Sequence, residues 1–376
     1  MLEDFERARI ADYFACVSQG LPNGRRACAI AITHLLPERP AFLHALAGVA
    51  DLRAVLPKPK SIDETARAEA SRHWRCDELD RARFATADDV LDYLETTVPG
   101  QQVVLLDIGG YFAPALPQVC DRFSGHILGV VEDTENGHRR YLAHGKPPCP
   151  VYSVARSPLK IPEDFLVGQS IVFSAEALIR SRGDILYGRG ATVIGFGKLG
   201  SSVAGMLHAR NVRVTVYDTD PIKLTHAMAQ GFHTAPSLRQ ALCGAGIIIG
   251  ATGNLALKRA DFARVPNGSY IASVTSSDDE MELEEIKNAY AREQLSASIT
   301  RYSRTGHYFY VLNGGNAVNF LHGASVGAFI FLVQAELLAA VSLLANREHE
   351  TAHHELPSDI RESIAATWLD HFTGAA

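Results

Sequence analysis

The chain has no Cys-x-x-Cys pair: its six cysteines, Cys16, Cys28, Cys76, Cys120, Cys149 and Cys243, are scattered. No secretory pattern precedes them, so reduced thiols in a cytoplasmic protein are expected. There is no basic block and no interleaving of aromatic with basic residues, and the net charge is −6 at pH 7, so nothing points to a nucleic-acid partner. Internal repeats and low-complexity tracts are missing as well. Only Gly323 to Ala345 is apolar enough to suggest a membrane span, and Gln334 and Glu336 near its middle argue for a buried helix and against a membrane partner. What remains is an ordinary globular composition, 47% hydrophobic and 21% charged, in 376 residues, enough for two domains with cores of their own.

The stretch Ala191 to Asp218 organises the rest. A β-branched run, Thr192 to Ile194, ends at Gly195-Phe196-Gly197-Lys198-Leu199-Gly200; an apolar-periodic helix (Val203, Met206, Leu207) and a second strand, Val212 to Val216, follow. This is a βαβ unit with G-x-G-x-x-G at its first turn. Gly195 permits the tight turn, Gly197 lets backbone approach a pyrophosphate, and Gly200 lets helix and strand pack closely. Asp218, at the end of the second strand, would accept hydrogen bonds from both ribose hydroxyls and repel a 2′-phosphate, which predicts NAD rather than NADP.

Before this unit, strands are predicted at Ala27 to Thr33, Leu52 to Leu56 (closed by Pro57 and Pro59), Val103 to Leu106 and Ile127 to Val131, with helices over residues 2 to 20, Pro40 to Val49 and Val90 to Thr97. The alternation implies a parallel sheet, whose ligands gather at the carboxyl ends of the strands. His34, Asp107 and Glu132/Asp133 fall at such ends and are candidates for one cleft. Pro147 to Pro162 reads as an extended connector and Asp164 to Arg182 as a long helix. After Asp218 come helices from Pro221 and near Ser237 to Leu242, strands Ile247 to Thr252 and Tyr270 to Thr275, and an acidic helix from Glu280. A hairpin is expected at Asn313-Gly314-Gly315-Asn316. His349, His353 and His354 with Glu350 and Glu355 read as a solvated helix end or tail rather than a metal site, so no metal is expected.

The order of these motifs resembles the S-adenosyl-L-homocysteine hydrolase family over Ala27 to Leu338. Glu132-Asp133-Thr134-Glu135-Asn136-Gly137 is similar to its E-E-T-T-x-G segment, Ser157 to Asp164 to its S-V-T-K-x-K-F-D segment, Tyr217-Asp218-Thr219-Asp220-Pro221 to its acid-x-D-P, and Ala251-Thr252-Gly253-Asn254 to its T-T-G. Val318-Asn319 with Gln334-Ala335-Glu336-Leu337 resembles V-N-L with a later Q-x-E-L, and His34 with Glu38 keeps the H-M-T-x-E spacing. The resemblance implies a catalytic Lys160 with Asp164, Asp133 on the substrate ribose, Thr134, Thr252, Asn254 and Asn319 at NAD beside Gly195, Gly197, Gly200 and Asp218, and His34 and Glu38 near ribose and adenine. His322 stands for the family's loop histidine at the substrate, and a homo-oligomer is expected.

The departures bear on the reaction. The family's L-D-D-G-G is Leu106-Asp107-Ile108-Gly109-Gly110, so its second, catalytic aspartate is Ile108. The N-x-G-H-F-D segment becomes Val274 to Asp279, without the histidine near Ser277; Phe165 replaces an asparagine, and the C-terminal tail donated to a neighbour's NAD is missing. The resulting fold class is α/β: an NAD-binding Rossmann domain (186–322) plus a second α/β parallel-sheet substrate domain (1–164, completed by 323–376), joined by a helix over 165–185. From spacing alone Lys160 and Asp164 are a surface ion pair; with the family pattern they read as alcohol-oxidation machinery, with Asp133 orienting ribose hydroxyls in preference to capping a turn and His34 as acid/base on the 5′ side. The function the resemblance implies is an NAD-dependent S-adenosylhomocysteine hydrolase-like enzyme acting on an adenosine-type nucleoside, a small-molecule substrate that is by default a 5′-thioether, through 3′-oxidation, 5′-elimination or hydration, and re-reduction. An NAD-linked dehydrogenase and a non-catalytic NAD or adenosine sensor are the alternatives.

Overall fold

The computed structural model describes residues 3–22, 24, 27–275, 280–319, 321–323 and 326–374. The chain divides into two units, Met1–Lys160 with Ala328–Ala376, and Ile161–Gly327.

The first unit is a seven-stranded, wholly parallel sheet. Its strands are β1 (Cys28–Leu35), β2 (Asp51–Ile62), β3 (Arg75–Cys76), β4 (Gln102–Asp107), β5 (His126–Glu132), β6 (Val151–Ser153) and β15 (His353–His354), in the order β15-β6-β5-β4-β1-β2-β3. Strands such as Cys28 to Ile32 are buried on both faces, as a parallel sheet covered by helices requires. The helix Ile330–Asn346 is buried from Phe331 to Ala345 in the core that holds Tyr13, Phe14, Phe42 and Leu43. Apart from Gln334, Glu336 and Ser342 its buried residues are apolar on every side because it is surrounded, and the share of its apolar window buried is 83%.

The second unit contains β7 (Gly190–Ile194), β8 (Arg213–Tyr217), β9 (His233–Thr234), β10 (Ala245–Gly250), β11 (Tyr270–Ser273), β12 (Ala291–Ser296), β13 (Ile299–Arg304) and β14 (His307–Leu312). Their order is β12-β13-β14-β11-β10-β7-β8-β9, parallel except for the β12-β13-β14 meander. Both sheets make the architecture α/β, with a Rossmann-type βαβ start at β7.

Several local expectations give way. β2 does not stop at Pro57 but runs on to Ile62; β3 pairs only with Ala54 and Val55, so beyond them that edge of β2 needs no N–H. The proline-rich connector holds a strand, β6, and the following helix begins at Ile161, with Pro162 in the first turn where its missing N–H costs nothing. Asn313 to Asn316 turns no hairpin: β14 already lies between β13 and β11, and Ala317 makes a single parallel bridge to Ser273. No helix begins at Glu280, whose carboxylate is buried and binds backbone N–H groups. His353 and His354 are not a solvated tail but the edge strand β15, with the Tyr152 ring stacked on His354 at 5.1 Å.

Gly137 illustrates how tightly the first unit is fitted. A Cβ there would lie 2.1 Å from the Glu132 carboxyl carbon, whereas one at Gly205, in the helix Lys198–Ala209, meets nothing within 4 Å. Gly137→Ala should therefore lower stability by about 1–3 kcal/mol through overpacking. Gly205→Ala should be neutral or stabilising by up to about 1 kcal/mol. Urea midpoints of the two variants test this, and similar midpoints would refute it.

Candidate functional site

In the first sheet the strand order reverses at β1, which has β2 on one side and β4 on the other; an open parallel sheet leaves a crevice at the carboxyl ends there. Asp107 ends β4 and Glu132 ends β5, both fully buried. Asp107 Oδ1 accepts from Tyr111 N at 3.1 Å, and Oδ2 from Phe112 N at 3.0 Å and the Tyr141 hydroxyl at 2.6 Å. Glu132 Oε1 accepts from Gly109 N at 2.9 Å and from Thr134 N and Oγ1 at 2.7 Å each, and Oε2 from Gly110 N at 3.0 Å. Gly109 (φ 105°) and Gly110 (φ 65°) occupy backbone regions closed to other residues at low cost. Burial, then the neighbouring Asp107, pushes the Glu132 carboxyl up to about 8, against the pull of Gly109 and Thr134.

The next residue, Asp133, turns its side chain to Lys160, with Nζ 2.6 Å from Oδ1 and only 11% and 12% of the two side chains exposed. Lys160 ends a single 3-10 turn, Pro158–Lys160. Thr134, not Asp133, caps the helix Glu135–Ala143: its Oγ1 accepts from Gly137 N at 3.1 Å while donating to Glu132. His34, half-buried near the end of β1, hydrogen-bonds through Nδ1 to Ser61 Oγ on β2. Burial first, then the charges of Lys58, Arg39 and Lys160, hold its ring well below the usual imidazole range, so it is neutral near pH 7. Glu38 is the half-buried residue at the start of the helix Arg39–Val49. Ile108 is fully buried in a core cluster with Leu105, Phe112 and Val130.

The sequence reading missed Ser61, Lys58, Arg39 and Tyr141. Ser61 and Lys58 are hidden by the assumption that prolines end β2. Glu336 is fully buried and paired through Oε1 with Arg361 Nε at 2.8 Å, and burial pushes its carboxyl up.

In the second unit the order reverses at β7, between β8 and β10. Gly195 (φ 95°) could not carry a Cβ, which would lie 2.6 Å from Ala251 O, and one at Gly200 would lie 2.0 Å from Gly195 O. Gly197, by contrast, faces open space and begins the helix Lys198–Ala209 with no side-chain cap and no acid in its first turn, leaving N–H groups for an anion. Asp218 Oδ2 accepts from Phe196 N at 2.7 Å and Oδ1 from Asp220 N at 2.9 Å; Lys223 Nζ lies 3.5 Å from Oδ2. The Thr252-Gly253-Asn254 loop is held by Glu280, whose Oε1 accepts from Thr252 N at 3.0 Å and Gly253 N at 2.7 Å. Asn319 Oδ1 is buried with no hydrogen-bond partner among the described residues, an acceptor waiting for a donor such as a carboxamide. Asp164 Oδ2 lies 3.3 Å from Lys198 Nζ. His322 is exposed, in a left-handed conformation (φ 63°). The segment 276–279, where the family's histidine would stand, lies outside the described residues. The open Gly197, the uncapped helix start, Asp218 and the orphan Asn319 acceptor fit a nicotinamide dinucleotide.

Residues 168–325 match the family of the S-adenosyl-L-homocysteine hydrolase NAD binding domain. Over 260 residues the chain is 29% identical to the adenosylhomocysteinase of Thermotoga maritima, covering 65% of this chain and 62% of that one, so it spans less than two thirds of this relative. It is 24% identical to the adenosylhomocysteinase of Sulfolobus acidocaldarius over 355 residues, 89% of this chain and 82% of that one. A dipicolinate synthase polypeptide from Bacillus halodurans is similar in structure at TM-score 0.44 and 13% identity, over 87% of this chain and all of that one. The second unit is an NAD-binding domain, and the chain as a whole is similar to adenosylhomocysteinases at 24–29% identity.

NAD should bind more tightly than NADP, because Asp218 sets a like charge against a 2′-phosphate. Asp218→Ala leaves Lys223 without that carboxylate and should narrow the ratio of dissociation constants by at least about tenfold, ~1.4 kcal/mol. Titration of the apoprotein with each cofactor decides; equal affinities in the unaltered protein would defeat the assignment.

Proposed function

We propose that this chain, with its NAD-binding unit of the S-adenosyl-L-homocysteine hydrolase type, is an NAD-dependent enzyme that oxidises the 3′-hydroxyl of an adenosine-type nucleoside. The Lys160–Asp133 pair, 2.6 Å apart where a parallel sheet ends, is the observation that carries the reading. Asp133 would accept a hydrogen bond from a ribose hydroxyl and hold the Lys160 amine in place. Lys160, in its neutral form, would take the hydroxyl proton as the C–H electron pair departs. NAD, when bound, would supply the hydride-accepting chemistry for this oxidation. Oxidation makes the C4′ proton acidic, so its removal expels the 5′ substituent and water can add in its place. His34, neutral and fixed through Ser61, is suited to accept a proton on the 5′ side.

Ile108 favours a shortened version of this chemistry. The side chain belongs to the apolar core, so no carboxylate is supplied from that position to take the C4′ proton or orient water. A dehydrogenase that stops at the oxidised nucleoside is the second reading on this ground.

Lys160→Ala should fold and bind NAD yet reduce bound NAD about 10²–10⁴-fold more slowly when adenosine is added. Absorbance of enzyme-bound NADH measures this; an undiminished rate would make Lys160 a structural charge only. S-adenosylhomocysteine should release homocysteine slowly or not at all, while adenosine still reduces bound NAD. Ile108→Asp should not restore release: it puts an unpaired charge in the core, at about 3–5 kcal/mol of stability. Rapid homocysteine release by the unaltered protein would show that the full hydrolytic cycle runs without an aspartate there.

A further inference from the structure

Around the first unit's crevice Asp107, Glu132 and Asp133 are spent, while four of the cations are not. Asp107 and Glu132 are engaged by backbone N–H groups, Tyr141 and Thr134, and Asp133 by Lys160. Among the described residues no ion pair involves Arg39, Lys58, Arg81 or Arg140. Arg39 is 3% exposed, its Nε has no hydrogen-bond partner, and its guanidinium lies over the Phe42 ring at 5.6 Å. A buried arginine without a carboxylate is unusual enough to call for an anion. Arg81 Nη2 and Arg140 Nη1 converge on a neutral acceptor, Gly109 O, at 3.5 and 3.2 Å. A probe atom at the Cβ position of Gly109 would lie 3.4 Å from Arg81 Nη2 and 3.5 Å from Lys58 Nζ, so both cations flank one point. The Tyr111 ring supports them, 4.0 Å from the Arg81 guanidinium and 6.0 Å from Lys58 Nζ.

We infer that Lys58, Arg81 and Arg140, with Arg39 beside His34, form an oxyanion site, so that the nucleoside taken by this unit carries a phosphate-class group on its 5′ side. The inference rests on the proposed nucleoside reading for its 5′ placement. Two arginine forks and an ammonium suit a tetrahedral dianion with several acceptor oxygens better than a planar carboxylate.

The test uses the full chain loaded with NAD. Adenosine, adenosine 5′-phosphate and adenosine-5′-carboxylate are titrated by calorimetry, with inorganic phosphate as competitor. The phosphate ester should bind at least about tenfold more tightly than adenosine, as charge-assisted contacts allow, and inorganic phosphate should weaken the ester and not adenosine. Lys58→Gln should cut the ester-to-adenosine affinity ratio about tenfold or more, and Arg39→Met, if it folds, should do likewise. An ester no tighter than adenosine, a ratio untouched by Lys58→Gln, or a carboxylate preferred to the ester would overturn the site. Phosphate-sensitive ester binding without NAD reduction by any of the three would remove the proposed oxidation and leave this site standing. Reduction by adenosine with no preference for the ester would do the reverse.

Discussion

The two crevices depend on one device: a carboxylate, buried at or near a strand's carboxyl end, that binds the N–H groups of the loops around it. In the first unit Glu132 gathers Gly109, Gly110 and Thr134, and Asp107 gathers Tyr111 and Phe112. In the second, Asp218 holds Phe196 and Asp220, and Glu280 holds Thr252 and Gly253. Burying a carboxyl group is costly, which shows at Glu132 as a proton affinity pushed up to about 8, and the backbone N–H groups offset part of that cost. Loops fixed this way keep their shape without a ligand, the condition for a preorganised site. The same requirement is met by positive φ at Gly109, Gly110 and Gly195, which open the loops around these carboxyl groups.

The parts of the fold legible in the sequence are those set by local pattern. β-branched runs ending at glycine located β7, and the strand-end rule brought His34, Asp107, Glu132 and Asp133 forward as one group. The illegible parts are set by neighbours. Whether Pro57 ends β2 depends on how far β3 extends beside it, and β3 supplies partners only to Ala54 and Val55. Lys58 and Ser61 were hidden for that reason. Glu280 looked like the first acid of a surface helix, because nothing in its own segment says that the loop after β10 needs an acceptor. β15 could not be read at all, since a two-residue strand exists only through its pairing with β6.

The division of labour between Asp133 and Thr134 separates a site from a turn. Either residue can cap a helix start, and had Asp133 done so its carboxylate would have been consumed locally. Thr134 takes the cap, using one oxygen both to accept from Gly137 and to donate to Glu132, which is why Gly137 must lack a side chain. Asp133 is thereby released toward Lys160.

The same accounting of donors and acceptors governs the charge of the crevice. A lysine whose carboxylate is consumed elsewhere stays available to solvent or ligand, and Lys58 is in that position between Arg81 and the paired acids. Burial above all, with Arg81, lowers its affinity for a proton below the usual lysine range, and Glu132, Asp107 and Asp133 offset only part of that. Ile108 completes the pattern from the opposite side: where the family resemblance leads one to expect a further acid, this chain has an apolar core residue. Removing one negative charge while leaving the cations unpaired shifts the crevice from one balanced for a neutral or zwitterionic group toward one suited to an anion, and that shift follows from where the backbone donors are spent.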